Sequence, residues 1–201
     1  MKLDQAKKDV YRRMAKKEGY RSRAAFKLAQ IDRKYKVFKP GQVVIDFGCA
    51  PGGWLQYISK AIGDEGFALG VDLKPLGYIS KNVDTIVADV KDKDTRDRIV
   101  KRLPRRADVV TSDLSPSISG IWELDVSRQM DLISRVCELF PSILKEGGDT
   151  IIKVFQGNDL NEFLKNIRKN FKEVTTVKPP ASRQESSELY LLCKGFTMSI
   201  S

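Results

Sequence analysis

From residue 43 onward, short apolar runs alternate with stretches whose apolar residues recur at helical spacing. Residues 43–47, 67–72, 84–90, 108–113, 150–155, 174–177 and 189–193 read as strands. Residues 52–62, 93–101, 125–140 and 160–171 read as helices, the third carrying Val126, Met130, Ile133, Cys137 and Phe140 along one face. Strands alternating with helices predict an α/β fold, a mostly parallel seven-stranded sheet covered by helices on both faces. The last two strands are joined by a polar stretch, 179–187, with no helical pattern. They are expected to form a hairpin, which makes one strand antiparallel. Ahead of the sheet, 9–17 reads as a basic helix. Ser22 is placed to cap a second helix containing Ala24, Ala25, Phe26, Leu28 and Ile31. Phe38-Lys39-Pro40-Gly41 then makes a turn where the composition changes.

Charge adds a polarity to this plan. The formal net charge is +10, and residues 1–39 hold 14 Lys/Arg against 4 Asp/Glu, so the whole excess sits there. Such a concentration suits a polyanion, although a solvated helix face has the same composition. Tyr11, Tyr20 and Phe26 are interleaved with the basic residues, and Met14 lies among them. Too few large apolar residues accompany them to make a membrane-binding stripe. No apolar run is long enough to cross a bilayer, and the N-terminus lacks the apolar core of a secretory signal. A cytoplasmic protein without membrane association is expected. The 201 residues show no repeat or linker, and a single domain over 1–201 is expected, with 1–39 as a basic segment and 40–201 as the core. A monomer is the expected form. Cys49, Cys137 and Cys193 are far apart and the chain has no histidine, so no metal site is expected and any general base is Lys, Asp, Glu, Tyr or Cys.

The first strand runs into Asp46-Phe47-Gly48-Cys49-Ala50-Pro51-Gly52-Gly53-Trp54, a glycine-rich turn that opens a helix with Pro51 suited to its first turn. The spacing is not the dinucleotide fingerprint, and an acid before the turn suits a cationic ligand better than a diphosphate. Asp72 ends the second strand, where it can hold a ribose diol, and Asp89 ends the third, near an adenine edge. Each alone also fits a turn or cap residue. Together they form an anionic rim that matches S-adenosylmethionine, which carries a sulfonium and an ammonium. Lys153 lies inside an apolar strand, where a lysine is costly unless paired or functional. Asp113 ends a strand just before Leu114-Ser115-Pro116, and Glu188 opens the last strand. If that strand is antiparallel, Glu188 shares the rim of Asp113 and Lys153. Lys27, on a short helix among many lysines, has no pattern of its own.

At these residues the chain resembles the FtsJ/RrmJ family of RNA ribose 2′-O-methyltransferases. The resemblance rests on Asp46 to Trp54, Ser112-Asp113-Leu114-Ser115-Pro116, Lys153, Ser187-Glu188 and Tyr20 to Leu28, and runs from about Tyr20 to the C-terminus. It implies a Rossmann-like methyltransferase fold and a catalytic tetrad of Lys27, Asp113, Lys153 and Glu188. It further implies cofactor contacts from Gly52, Trp54, Asp72, Asp89 and Asp113. Cys49 replaces the alanine common in that glycine loop. Lys153 is then either the proton acceptor for the attacking hydroxyl or mainly a group that steers it: burial, Lys27 and the sulfonium push toward the neutral form that the first role needs. Asp113 and Glu188 oppose that and would orient it. The implied substrate is a uridine ribose of large-subunit (23S) ribosomal RNA, alone or in the large ribosomal subunit. A tRNA anticodon loop is the alternative, and a catalytically silent RNA-binding protein on the same scaffold is the alternative of another class. RNA would be held by the basic segment, its aromatic residues and the rim of the fold.

Overall fold

The computed structural model describes residues 3–157, 159–183 and 185–198. Two helices, α1 (Leu3–Lys17) and α2 (Ala24–Tyr35), precede the sheet. Then follow β1 (Val43–Phe47), α3 (Gly53–Ile62), β2 (Phe67–Asp72), β3 (Val83–Val87), α4 (Thr95–Arg102), β4 (Ala107–Ser112), α5 (Trp122–Ile143), β5 (Leu144–Phe155), α6 (Leu160–Ile167), β6 (Phe171–Val177) and β7 (Glu188–Phe196). The strands form one seven-stranded sheet in the order β3-β2-β1-β4-β5-β7-β6. The pairs from β3 to β5 are parallel, and β7 runs antiparallel to both β5 and β6. The expected antiparallel strand is therefore β7, inserted between β5 and β6 rather than added at the edge.

The strands of the sheet centre are apolar on both sides because both sides are covered. Every residue of β1 is buried. Val43, Ile45 and Phe47 of β1, with Ile152 and Val154 of β5, face α4, α5 and α6 through Ile99, Ile133, Val136, Phe140 and Ile167. Val44 and Ile151 face the opposite layer, where α2 and α3 contribute Leu28, Ile31, Trp54, Leu55 and Ile58. The period of two along each strand sorts the side chains between the two layers.

Several local expectations give way to neighbouring chemistry. Ser22 does not cap α2: Arg23 holds that position without a side-chain cap bond. Instead Ser22 Oγ lies where a Cβ on Gly53 would come within 2.2 Å, so the bare glycine lets the α2 entry pack on α3. Pro51 lies before Gly52, the N-cap of α3 (φ 107°), rather than in the first helical turn. Strand β3 stops at Val87, leaving Asp89 two residues beyond it in a turn whose Lys91 N–H donates to Asp89 Oδ1. Helix α5 runs on through Pro141 in its last turn, and α6 ends before Phe171, which belongs to β6. Among the described residues, no helix is long and apolar enough to cross a membrane.

Candidate active site

The strand order reverses between β1 and β4: the chain leaves β1 toward β2 on one side, while β4 lies on the other. Loops following two such strands diverge and leave a crevice at their carboxyl ends. Here Gly48 (φ 73°) turns away from β1 while its N–H donates to Val71 O. Asp113 N–H donates to Phe47 O. A Cβ at Gly48 would stand 2.9 Å from Leu114 N, so the two loops close on each other only around a glycine. Below them lies a cavity of about 410 Å³, whose lining includes Gly48, Asp72, Asp89, Asp113, Leu114 and Leu132. That volume falls within the roughly 300–1,000 Å³ typical of small-molecule sites.

Three carboxylates thus line one cavity from the ends of β2, β3 and β4. Asp72 also fixes the loop geometry: Oδ2 accepts Ala50 N–H at 2.9 Å and Oδ1 accepts Lys74 N–H at 2.9 Å. Asp46, expected on the same rim, lies beneath it. It is fully buried within β1, one residue short of the strand end, and its Oδ1 accepts the Thr111 hydroxyl at 2.7 Å. Its Oδ2 has no partner among the described residues. Burial, with Asp113 and Asp72 close by, raises this carboxyl well above the usual range against the opposing Thr111 hydrogen bond. Gly52 and Trp54 are not part of the cavity lining. The Trp54 indole is buried, donates Nε1–H to Ala24 O at 2.9 Å and packs 5.8 Å from the Tyr190 ring. What these two residues offer a ligand is backbone at the N-terminus of α3, where the first-turn N–H groups lack helical partners.

Beside the cavity, charged side chains from α2, β5, β7 and the residue that follows β4 meet. Lys153 is buried, and its Nζ lies 3.1 Å from Asp113 Oδ1. It also donates to Asp113 O at 2.7 Å and to Ser115 Oγ at 2.5 Å. Lys27 Nζ lies 2.8 Å from Glu188 Oε2 and 5.7 Å from the centre of the Tyr190 ring. Tyr190 OH donates to Asp113 Oδ1 at 3.2 Å, which joins the two ion pairs through one ring. Burial alone would raise the Glu188 carboxyl, but Lys27 and Lys153 outweigh it and hold the group below its ordinary value. Burial, Asp113 and Glu188 push the Tyr190 hydroxyl well up, so it remains a donor. The structure brings Lys27, Asp113, Lys153 and Glu188 together, and adds Tyr190 and Ser115.

Gln129 of α5 is a further contributor. It is fully buried, donates to Lys153 O at 3.3 Å and accepts Phe155 N–H at 2.6 Å, clamping the end of β5. Arg21 has a comparable role in the basic segment. Its guanidinium donates to Tyr78 O at 2.7 Å and Gly77 O at 3.2 Å, tying that segment to the β2–β3 connection. Tyr11, Tyr20 and Phe26, expected as stacking groups, already pack on one another, with Phe26 5.7 Å from each tyrosine. A cavity of about 320 Å³ beside Glu188 is lined by Arg23, Lys27, Arg183, Glu185, Ser186 and Glu188, three cations against two carboxylates. Burial and the facing Arg183 disfavour the charged form of Arg23. Among the described residues, no group of three His, Cys, Asp or Glu could hold a metal ion. The cysteines are free, and burial pushes the Cys193 thiol up to about 12, leaving it no nucleophilic character near neutrality.

Comparison with known proteins agrees with this geometry. The family model described as FtsJ-like methyltransferase matches residues 20–196. The chain is 42% identical over 197 residues to ribosomal RNA large subunit methyltransferase E of Methanocaldococcus jannaschii, covering 96% of this chain and 80% of that protein. To the protein of the same name from Methanothermobacter thermautotrophicus it is 43% identical, over 94% of this chain and 90% of the relative. A crystal structure from Plasmodium falciparum, described as a ribosomal RNA methyltransferase, superposes with a TM-score of 0.78 at 28% identity, covering 88% of this chain and 98% of the other.

Proposed function

This chain belongs to the FtsJ-like methyltransferase family, and from that premise we propose that it methylates the 2′-hydroxyl of a uridine ribose in large-subunit ribosomal RNA, with S-adenosylmethionine as donor. One observation carries the reading: Asp113 both lines the 410 Å³ cavity and holds the Lys153 ammonium, through its carboxylate at 3.1 Å and its carbonyl at 2.7 Å. The residue that borders the cofactor cavity is thereby the residue that positions the group meeting the nucleophile.

The residues fit the donor. The cavity is acidic, its lining also offers apolar Val71, Ala88 and Val90, and an unpartnered carboxyl oxygen of Asp46 is buried beneath it. Asp72 and Asp89 would accept from hydroxyl and amino groups, and the N-terminus of α3 at Gly52 to Trp54 would take a carboxylate. When bound, S-adenosylmethionine supplies an electrophilic methyl carbon on a cationic sulfur.

Lys153 would meet the ribose hydroxyl. Its three donor positions are engaged by Asp113 Oδ1, Asp113 O and Ser115 Oγ. The Ser115 hydroxyl marks a place from which a substrate hydroxyl can approach Nζ. To act as base, Lys153 would first have to release one of its ammonium protons to solvent; its neutral amine would then take the hydroxyl proton as the ribose oxygen receives the methyl group that S-adenosylmethionine would supply. Glu188, kept ionised beside Lys27, balances the two amines, and holding the reacting groups in place supplies much of the acceleration. The Arg23–Arg183 cavity would take an RNA phosphate, whose charge relieves the crowding of the two guanidiniums.

The test is to incubate the protein with labelled S-adenosylmethionine and, separately, ribosomal subunits, deproteinised ribosomal RNA and tRNA, then map new 2′-O-methyl groups. A single new uridine site in the large-subunit RNA, absent with Lys153→Ala, is expected. Label confined to tRNA, or to a base, overturns the assignment.

A further inference from the structure

Helix α5 opens with an aromatic ring that the core does not use. Trp122 is 43% exposed, yet its ring centre stands 5.6 Å from that of Phe155 at an interplanar angle of 33°. One side of the indole is therefore backed by Phe155 and the remainder is open. The loop before it exposes Ile118 and Ile121 as well. This loop is pinned: Asp125 Oδ1 accepts the Ser119 N–H at 2.8 Å and the Ser119 hydroxyl at 2.7 Å, and Oδ2 accepts the Gly120 N–H at 3.3 Å. Ile118, Ile121 and Trp122 thus form an exposed apolar patch at the start of α5, the kind of patch that marks an interaction surface.

Its position identifies the partner. Trp122, Phe155, Ile118 and Glu188 line a cavity of about 320 Å³. Glu188 also lines the cavity of Arg23, Lys27 and Arg183. Phe155 pairs directly with Glu188 in the β5–β7 register, two residues beyond Lys153. The two cavities adjoin at Glu185, Ser186 and Glu188, so the Arg23–Arg183 pair, the Lys27–Glu188 ion pair and an aromatic shelf are neighbours. A nucleotide likewise joins a phosphate, a ribose and a base. We propose that Trp122, backed by Phe155, is the shelf on which the nucleobase of the target nucleotide stacks. The proposal rests on the RNA ribose methyltransferase reading above. Stacking accepts any base, so Trp122 sets how the ribose is held rather than which base is chosen.

The chain has two tryptophans, and Trp54 is buried, so Trp122 supplies the solvent-sensitive fluorescence. The protein is titrated with single-stranded oligouridylate and with an abasic ribose-phosphate oligomer of equal length, while binding is followed independently by anisotropy. Oligouridylate is expected to quench several-fold more than the abasic oligomer, and Trp122→Phe to lose that difference. In methyl transfer to ribosomal RNA, Trp122→Ala is expected to raise KM about tenfold, Trp122→Phe to restore most of it, and both to bind S-adenosylmethionine as the unaltered chain does. Oligouridylate that binds without selective quenching, or a Trp122→Ala variant with unchanged KM, overturns the shelf alone. No transfer to RNA by the unaltered protein overturns the parent reading, and the shelf's role with it.

Discussion

Lys153 and Tyr190 stand directly opposite each other in the antiparallel β5–β7 pair, and both reach the same oxygen, Asp113 Oδ1, at 3.1 and 3.2 Å. Adjacent strands thus place an amine and a phenol on one carboxylate from across the sheet. Tyr190→Phe removes a fully buried donor to that carboxylate without changing the ring that packs on Trp54. The expected cost is about 1–3 kcal/mol of stability, since the bond ends on a charged group. Thermal unfolding measures that, and turnover should fall less than tenfold because Lys153 keeps all three of its acceptors, Asp113 Oδ1, Asp113 O and Ser115 Oγ.

Lys153→Ala separates chemistry from binding. General acid–base contributions are worth about 10²–10⁴-fold, so methyl transfer should fall at least about a hundredfold. Affinities for S-adenosylmethionine and RNA, read by calorimetry and filter binding, should change little. A variant that binds both partners normally and methylates at the unaltered rate removes Lys153 from both its proposed roles, proton acceptor and steering group.

The Glu188 carboxyl lies below its ordinary value in the folded protein. A depressed folded value stabilises the fold above the unfolded value, and that contribution is lost as pH falls through the folded one. Glu188→Gln should therefore unfold at lower temperature than the unaltered chain at pH about 7. The gap should narrow once the pH drops below the ordinary glutamate value of about 4.3. Melting curves across that acid range give the check, and a gap that widens in acid contradicts the sign.

Much of this arrangement was legible before any coordinates. The alternation of apolar runs with helical spacing fixes the layered sheet, and the helix-free polar stretch before Leu189 announces that β7 reverses. Asp113, Lys153 and Glu188 stand out because each breaks a local apolar or turn pattern. Asp46 misled because an acid before a glycine turn looks exposed, whereas it is the parallel neighbours on both sides that seal it. Tyr190 and Gln129 gave no signal: a tyrosine fits a buried strand, and one glutamine on an amphipathic helix reads as a surface position. The bonds that give them a role end on groups 77 and 24 residues away, respectively, which local patterns do not encode.

Gln129→Leu tests that hidden position. The substitution keeps volume but leaves Lys153 O and Phe155 N–H without their buried partner. Unsatisfied buried groups cost about 1–3 kcal/mol each, so the melting temperature should drop by several degrees. Because the clamp spans the residue that carries Nζ, turnover should fall while the affinity for S-adenosylmethionine, bound from the other side of Asp113, is retained. Equal losses in both would mark a general loosening of the carboxyl end of β5.

Gly48 sets the strictest local demand. Its φ of 73° disfavours any side chain, and a Cβ would meet Leu114 N at 2.9 Å and Leu114 Cα at 3.0 Å. Backbone atoms do not rotate aside as a flexible side chain does, so the β1 and β4 loops would have to part. Strain of this kind costs about 1–3 kcal/mol, and parting moves Asp113 from Phe47 O, where its N–H now donates at 3.0 Å. Gly48→Ala should therefore lose S-adenosylmethionine affinity and turnover together, unlike Lys153→Ala, which should lose turnover alone. Calorimetric titration alongside a melting curve distinguishes this from simple unfolding: a variant that stays folded at the assay temperature yet binds the donor as the unaltered chain does would show that the crevice does not depend on the closeness of these two loops.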